Sequence, residues 1–154
     1  MSDTNYVALT GKDTIALNGV QMNNLGPGDC FVGEFPNDLV KISVGKNGNV
    51  AAALDASGQV FETTIDVLRG SPEDIYLIGQ LAAIEQDLPS FKMMTGNFVK
   101  RIGDGQGGVT QDSYVAANGV VKRKPGVKEN VAGDTAQAIR QHRIVFGKCI
   151  IAVF

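Results

Sequence analysis

The chain has no tryptophan, one histidine and two cysteines among its 154 residues, and each shortage argues against a class of function. With only three tyrosines beside the missing tryptophan, it is poorly supplied for a carbohydrate- or ligand-binding β-sandwich, which stays open as an alternative. His142 has no second histidine, cysteine or patterned acid at ligand spacing, so neither a metal site nor acid–base catalysis is predicted. We expect it to be a strand residue at the surface or at an interface.

Sequence motifs of enzymes are missing as well. A single histidine and the lack of a GxSxG motif argue against a nucleophile elbow. The glycine-rich residues 103–108 lack the GK[ST] ending of a phosphate-binding loop, and we expect a flexible loop or a hairpin tip there. Glu62 and Asp66 lie four residues apart on a predicted strand, too far for two carboxylates that share a proton. We therefore expect no enzymatic activity, with no catalytic, cofactor-binding or metal-binding residues.

Long apolar runs are also missing, and the first five residues are polar rather than basic and then apolar. No membrane span or signal peptide is predicted, so we expect assembly in a cytoplasm and no membrane partner. Cys30 and Cys149 lie in no CxxC or Cys/His motif. We expect both to be buried free thiols, with a disulfide between them as the alternative.

Proline is scarce, with five residues, whereas glycine is abundant, with 19. This ratio favours many short strands joined by tight turns over a helical bundle. A chain of 154 residues with 44% hydrophobic content can bury one core, so a single domain over residues 1–154 is expected.

One stretch, residues 71–88, predicts an α-helix. Ser71 is a suitable N-cap, Pro72 suits the first helical position, and Asp74 stands where a capping-box acid belongs. Pro89 ends the pattern. Apolar residues cover roughly half of the helix circumference, so we expect this helix to flank a sheet. They are Ile75, Leu77, Ile78, Leu81, Ala82, Ile84 and Leu88.

Short strands and turns account for most of the remaining chain. Strand patterns occur at residues 6–9, 13–17, 20–22 and 30–35, and Asn18-Gly19 predicts a two-residue hairpin turn. Residues 39–44, 50–54 and 59–68 predict a three-stranded meander with one polar face.

The strand patterns continue after the helix. Residues 91–102 are expected to be extended. Residues 109–116 predict a strand, and a second Asn-Gly pair, at 118–119, is expected to interrupt the chain after it. Residues 136–154 predict a long strand or a bulged pair. Because both faces of this last strand are apolar, we expect it to be central or covered by another subunit.

Charge is distributed unevenly along the chain. Residues 1–90 hold 12 acidic and 4 basic residues, a net charge of −8, whereas residues 91–154 hold 4 acidic and 10 basic residues, a net charge of +6. Two explanations stay open: two faces of a solvated surface, or surfaces of opposite sign that meet between copies of the chain. Lys122-Arg123-Lys124 with Lys128 form the sole basic cluster, which favours a guarded strand edge or a protein contact over nucleic acid.

An ordered series of motifs carries a family resemblance. The chain resembles phage tail tube proteins, with the greatest likeness to the inner tube subunit of contractile-tailed phages, over about residues 39–90 and more loosely to the C-terminus. Type VI secretion and pyocin tube subunits are similar and remain the alternative. The motifs are Val44-Gly45-Lys46-Asn47-Gly48, Leu54-Asp55-Ala56-Ser57-Gly58, residues 63–68, Ser71-Pro72-Glu73-Asp74, Lys124-Pro125 and Ile144-Val145-Phe146-Gly147.

The resemblance implies a mainly β fold, a twisted β-sandwich or barrel with one flanking helix on the outer side of a ring. It implies homohexameric rings that stack into a hollow tube, which conducts the genome and the tape-measure protein during ejection. The implied partners are further copies of the chain and the sheath, tape-measure, baseplate and tail terminator proteins. The implied location is the tail of the virion, where DNA passes through the lumen without specific binding.

Two sets of residues are assigned on this basis. Carboxylates on a lumen wall would repel DNA phosphates, whereas Lys41 is expected to pair with Glu62 or Asp66 or to face elsewhere. The predicted lumen-facing residues are Lys41, Ser43, Glu62, Thr64 and Asp66. Loops at residues 103–112 and 126–134 are expected to couple rings or subunits. The coupling residues are Gly103, Asp104, Gln106, Asp112, Lys122, Arg123, Lys124, Lys128 and Glu129.

Overall fold

A computed structural model describes residues 7–9, 13–26, 28–127, 129, 131–133 and 135–154. These residues form a mainly β fold with one α-helix, as the composition predicts. Tyr6, in the first predicted strand, lies outside the described residues. The elements are β1 (Ala8–Leu9), β2 (Thr14–Leu17), β3 (Val20–Gln21), β4 (Phe31–Glu34), β5 (Val40–Val44), β6 (Val50–Leu54), β7 (Phe61–Leu68), α1 (Pro72–Gln86), β8 (Met94–Gly103), β9 (Val109–Arg123) and β10 (Ile139–Val153).

Eight of the described strands form one antiparallel sheet in the order β3-β2-β8-β9-β10-β7-β4, with β1 also paired to β8. The two longest strands, β9 and β10, lie at its centre. β10 pairs with β7 from Ile139 to Phe146 and with β9 from Arg143 to Val153. The prediction of a central last strand is therefore confirmed.

The large sheet curls around a single core. Phe31 on β4, at one end of the strand order, stacks on Phe98 on β8 with ring centroids 4.5 Å apart. Phe98 in turn contacts Phe61 and Phe146 from the middle of the sheet, at 6.2 and 5.9 Å. β4 and β8 are separated by three strands in the order, so contact between them requires strong curvature, which natural strand twist supplies. The mainly β fold class with one helix is confirmed.

Two Asn-Gly pairs have different structures. Asn18 and Gly19 have φ angles of 52° and 79° and connect β2 to β3, with Leu17 opposite Val20, so the predicted hairpin is confirmed. Asn118 also has a positive φ, of 61°, but β9 continues through it. The predicted interruption is wrong, because β8 and β10 pair with β9 on both sides and the pair becomes a bulge, seen as a register shift on β8.

The predicted three-stranded meander is also wrong. β5 and β6 pair only with each other in a separate two-stranded sheet, whereas β7 pairs with β4 and β10. A 3-10 turn, Ala56–Gln59, separates the hairpin from β7, and the Asp55 side chain caps this turn by accepting from Ser57 N–H at 3.0 Å. The capped turn thus lies where the chain passes from the two-stranded sheet to the large sheet.

Helix α1 begins as predicted and ends at Gln86, two residues earlier than expected. Ser71 Oγ accepts a hydrogen bond from Asp74 N–H at 3.3 Å, the predicted capping contact. The predicted apolar arc is buried in part: Leu77 is fully buried and Leu81 and Ile84 are half-buried against the core, whereas Ile75 is 67% exposed. No helix in the described ranges is long and apolar enough to cross a membrane.

Candidate assembly interface

The β5–β6 hairpin exposes an apolar face to solvent. Residues directly opposite in an antiparallel pair share a face, and Val40, Ile42 and Val44 lie opposite Leu54, Ala52 and Val50. All six residues are exposed, from 42% for Val40 to 73% for Leu54 among the large side chains. A contiguous apolar face of this kind indicates a protein contact surface.

The other face of the hairpin carries Lys41, Ser43, Ala51 and Ala53. Lys41 Nζ forms an ion pair with Asp55 at 3.3 Å. Hydrogen bonds from the Ser57 backbone and side chain, together with Lys41, hold the pKa of Asp55 below its usual value. The expected pairing of Lys41 with Glu62 or Asp66 is therefore not formed, since the hairpin and β7 belong to different sheets.

Three predicted lumen-facing residues do lie together on β7. Glu62, Thr64 and Asp66 are half-buried and alternate with buried residues, so they share the face opposite the core. Lys122 Nζ contacts Glu62 Oε1 at 2.7 Å, and Arg143 on β10 lies directly opposite Thr64. This surface, Glu62, Thr64, Asp66, Lys122 and Arg143, is called the polar face below.

The polar face is mixed in charge rather than acidic. Asp66 is poorly placed to contact anything that passes along this face, because its Oδ1 is buried. This oxygen has no hydrogen-bond partner in the described part of the chain. The segment before β4 covers Asp66, with Gly26 N–H donating to Asp66 O at 2.8 Å. The structure brings Glu62, Thr64 and Asp66 together and leaves Lys41 and Ser43 on the hairpin. That these residues face a lumen remains a prediction.

The predicted coupling loop at residues 103–112 is shorter than expected. Gly103 ends β8, and Asp112 lies within β9, opposite Lys100 and Val153, so only residues 104–108 form the turn. Asp104 Oδ1 accepts from Gln106 N–H at 2.7 Å and from Gly108 N–H at 3.0 Å. These residues form the tip of the β8–β9 hairpin, one of the two structures expected here, and the tip is held by its own aspartate.

Two of the basic coupling residues, Lys122 and Arg123, lie on a strand, and two, Lys122 and Lys124, form ion pairs. Lys122 and Arg123 end β9, and Lys124 Nζ contacts Glu85 on α1 at 2.5 Å. Glu129 contacts Arg69 at 2.8 Å. Lys128 lies outside the described residues.

Charges from the two halves of the sequence neutralise one another within the chain. Four ion pairs join a base from residues 91–154 to an acid from residues 1–90. The asymmetry along the sequence is therefore at least partly balanced inside one subunit. The pairs are Lys100–Asp13, Lys122–Glu62, Lys124–Glu85 and Arg140–Asp74.

A buried carboxylate, Asp74, anchors the start of α1 to β10. Its Oδ1 lies 2.8 Å from His142 Nε2, and its Oδ2 accepts from Arg140 Nη1 and from Gly70 N–H, both at 2.9 Å. Asp74 is 2% exposed and His142 1% exposed. The expected surface or interface position of His142 is therefore wrong, although it is a strand residue as predicted.

The protonation states of this pair follow from its surroundings. Burial raises the pKa of Asp74, but the hydrogen bonds from Gly70 and His142 and the charge of Arg140 outweigh it, so the pKa is lowered. Burial lowers the pKa of His142. The hydrogen bond to Asp74 and the charge of Asp74 raise it, but they offset the effect of burial only in part. A neutral His142 therefore donates from Nε2 to an ionised Asp74. We call Asp74, His142 and Arg140 the helix anchor.

A second acid in the same helical turn reaches a different element. Glu73 is 7% exposed and accepts from Asn24 Nδ2 at 2.7 Å, and this bond, against the opposing effect of burial, lowers the pKa of Glu73. The sequence pattern identifies Asp74 only as a capping-box acid at the start of the helix. No local signal identifies the partners of either acid, since Asp74 and His142 are 68 positions apart.

Neither cysteine forms a disulfide, as predicted. Burial raises the pKa of the Cys149 thiol to about 11, whereas Cys30 is only half-buried.

In the part of the chain that the structure describes, no group of three or more histidine, cysteine or acidic residues is placed to hold a metal ion.

Solved structures match this fold, whereas no protein-family model and no curated protein sequence matches the chain. The cap of the anti-feeding prophage, described as its tube-terminating cap, aligns with a TM-score of 0.70 over 100% of this chain and 96% of that one. The PVC sheath/tube terminator of an extracellular contractile injection system aligns with a TM-score of 0.64 over 96% and 97%. A chain of the PVC sheath-tube complex in the extended state aligns with a TM-score of 0.62 over 92% of this chain and 88% of that one.

Sequence identity is 12% in each case, so the likeness is one of fold. The chain has the fold found in tube-associated components of contractile injection systems.

Proposed function

We propose that this chain is a non-enzymatic structural subunit of the tube of a contractile phage tail. In this proposal homohexameric rings stack head to tail into a hollow tube, which conducts the genome and the tape-measure protein during ejection. The subunit meets further copies of itself, the sheath, the baseplate, the tape-measure protein and the tail terminator. It is assembled in the bacterial cytoplasm and resides in the tail of the virion.

The exposed apolar face of the β5–β6 hairpin carries this proposal. A lone two-stranded hairpin is marginally stable in water, and this one presents six apolar residues without cover. Covering them with a second subunit is favourable by roughly 25 cal/mol for each Å² of apolar surface removed from water. A subunit that completes its fold in an assembly is the expected bearer of such a face.

The fold likeness supports the same class of particle. The matched structures are named as a tube-terminating cap, a sheath/tube terminator and a sheath-tube complex. The mixed polar face, in which Lys122 neutralises Glu62, suits a wall that DNA passes without specific binding. A type VI secretion or pyocin-type tube subunit is the alternative within the same fold.

A tube terminator or cap is the second candidate function. It is favoured by the alignments with TM-scores of 0.70 and 0.64, which are to a cap and to a terminator. A terminator would form the same lateral contacts as a tube subunit but would not propagate along the axis.

Negative-stain electron microscopy of the purified chain over a range of concentrations separates these proposals. A tube subunit gives rings that lengthen into tubes as concentration rises. A terminator gives single rings of constant height. Uniform monomers at every concentration contradict both functions.

A further inference from the structure

We propose that the β5–β6 hairpin of one copy pairs, strand to strand, with the open edge of β10 at residues 147–153 of a second copy. The inference rests on the proposed self-assembly and identifies the two surfaces that form one of its contacts. These surfaces are called the donor hairpin and the acceptor edge.

The acceptor edge arises because β10 is longer than its neighbour β7. β7 begins at Phe61, which lies opposite Phe146, whereas β9 accompanies β10 as far as Val153. Among the described residues, 147–153 therefore have a strand on only one side, and the 3-10 turn Ala56–Gln59 of the same chain also contacts β10. An unpaired edge presents backbone N–H and C=O groups that act as a template for another strand.

Side chains make this edge receptive rather than protected. Ile150, Ile151 and Val153 are 55, 51 and 64% exposed, and they lie on both faces of the strand. Solvent-exposed edges are normally blunted by charge, proline or a bulge. Lys148 is the single charged residue in residues 147–153, and the segment contains no proline.

The edge of β4, in contrast, offers less to a partner strand. β4 has four residues, and one of them is the charged Glu34. Val32 is its exposed large apolar residue, at 49%, and Phe31 is already engaged with Phe98. β4 therefore provides a matched comparison for the longer and more apolar acceptor edge.

A second copy of this chain is the occupant that the structure favours. β5 and β6 have five residues each and pair only with one another, so each keeps a free edge that fits within the seven-residue acceptor. Within one chain the hairpin forms a sheet of its own, apart from β10, and its base is closed by Asp55 N–H donating to Leu39 O at 2.7 Å. Donor and acceptor are different surfaces, so the contact propagates head to tail into a ring or a filament.

Two single substitutions and their mixture test this pairing. Ile42→Lys disables the donor hairpin and Ile150→Lys disables the acceptor edge, and both sites are more than half exposed, so each subunit should fold normally. Each variant alone is expected to lose rings and tubes. Their equimolar mixture should form heterodimers through this contact, since one intact hairpin meets one intact edge and the second hairpin and second edge of each pair are disabled. Val32→Lys, on the β4 edge, is the matched control and should assemble like wild type.

Hydrogen exchange of wild-type assemblies tests the pairing without any variant. Amides in residues 40–54 and 147–153 should exchange more slowly in assemblies than in dissociated subunits, with residues 31–34 unchanged.

Several results would overturn the pairing alone. They are wild-type rings that survive both substitutions, a variant mixture that stays monomeric, and fast exchange of residues 147–153 within assemblies. A wild-type chain that never self-associates would instead overturn the proposed function itself, and with it this inference.

Discussion

The Asp74 carboxylate connects helix α1, the turn before it and the central strand β10. It is 2% exposed, and it accepts from His142, Arg140 and the Gly70 backbone. Leu77, which is fully buried, and the half-buried Tyr76, Leu81 and Ile84 pack the helix against the core. The polar bonds of Asp74 fix the start of the helix against β10 in addition.

Replacement of Asp74 by asparagine should reduce the free energy of unfolding by about 3–5 kcal/mol, because it leaves Arg140 without its buried partner. Urea denaturation followed by circular dichroism measures the change. Glu85→Gln is the matched control: Glu85 pairs with Lys124 at the surface, so its loss should cost less than about 1 kcal/mol. Equal effects of the two substitutions would refute the helix anchor as a major source of stability.

Acid should destabilise the subunit through His142. Its pKa is lowered from 6.5 in the folded state, so the unfolded chain binds more protons as pH falls below about 6.5. Stability is then fully present above this pH and declines below it. The lowered pKa of Asp74 acts in the same direction at lower pH, where its carboxylate is protonated first in the unfolded chain.

The contribution of His142 to the loss of stability in acid can be measured by substitution. His142→Gln should be less stable than wild type at pH 7 but should lose the stability change between about pH 7 and pH 5. Thermal unfolding across this range measures both effects. An unchanged slope in the variant would assign the acid sensitivity to other groups.

Among the elements, β9 shows how neighbouring strands override a local turn signal. Asn118-Gly119 sits between β8 and β10, and both ladders continue on either side of the bulge. Gly119 is required by close packing, because a Cβ there would lie 2.5 Å from the ring of Phe146. The bulge and this buried ring therefore fit together.

Gly119→Ala should destabilise the subunit by about 1–3 kcal/mol, the usual cost of overpacking a core. Gly79→Ala provides the opposite case, since a Cβ at this helix position meets nothing within 4 Å. It should stabilise the subunit by roughly 0.5–1 kcal/mol through helix propensity. Chemical denaturation of both variants compares them. A neutral Gly119→Ala would show that Phe146 moves aside easily.

The whole molecule is a curved sheet with two surfaces of different character. The polar face of β7 and β10 is neutralised in part by Lys122, whereas the hairpin and the end of β10 are apolar and exposed. In an assembled tube the polar face is expected to line the lumen. The apolar hairpin and the end of β10 are expected to lie between subunits. The outer face of α1, which includes Ile75, is expected to point away from the lumen.

Cysteine labelling can test this orientation in assembled tubes. Thr64→Cys should react with a small maleimide but be shielded from a maleimide coupled to a bulky polymer, whereas Ile75→Cys should react with both. Both cysteine variants are made in a chain that also carries Cys30→Ala, so that the half-buried native thiol cannot react. Cys149 can stay, because it is buried and its raised pKa makes it unreactive. Rapid bulky labelling of Thr64→Cys in intact tubes would remove β7 from the lumen wall.

The sequence by itself determined the features that depend on neighbours along the chain. The start of α1, the Asn18-Gly19 hairpin and the alternation on β7 each rest on residues within a few positions of one another, where backbone preference and side-chain period decide the outcome. The tertiary structure alone decided which strands pair, so the meander became a separate hairpin and a strand of the large sheet. It also placed His142 against Asp74, because a contact between residues 68 positions apart depends on how the sheet curls and not on any local pattern.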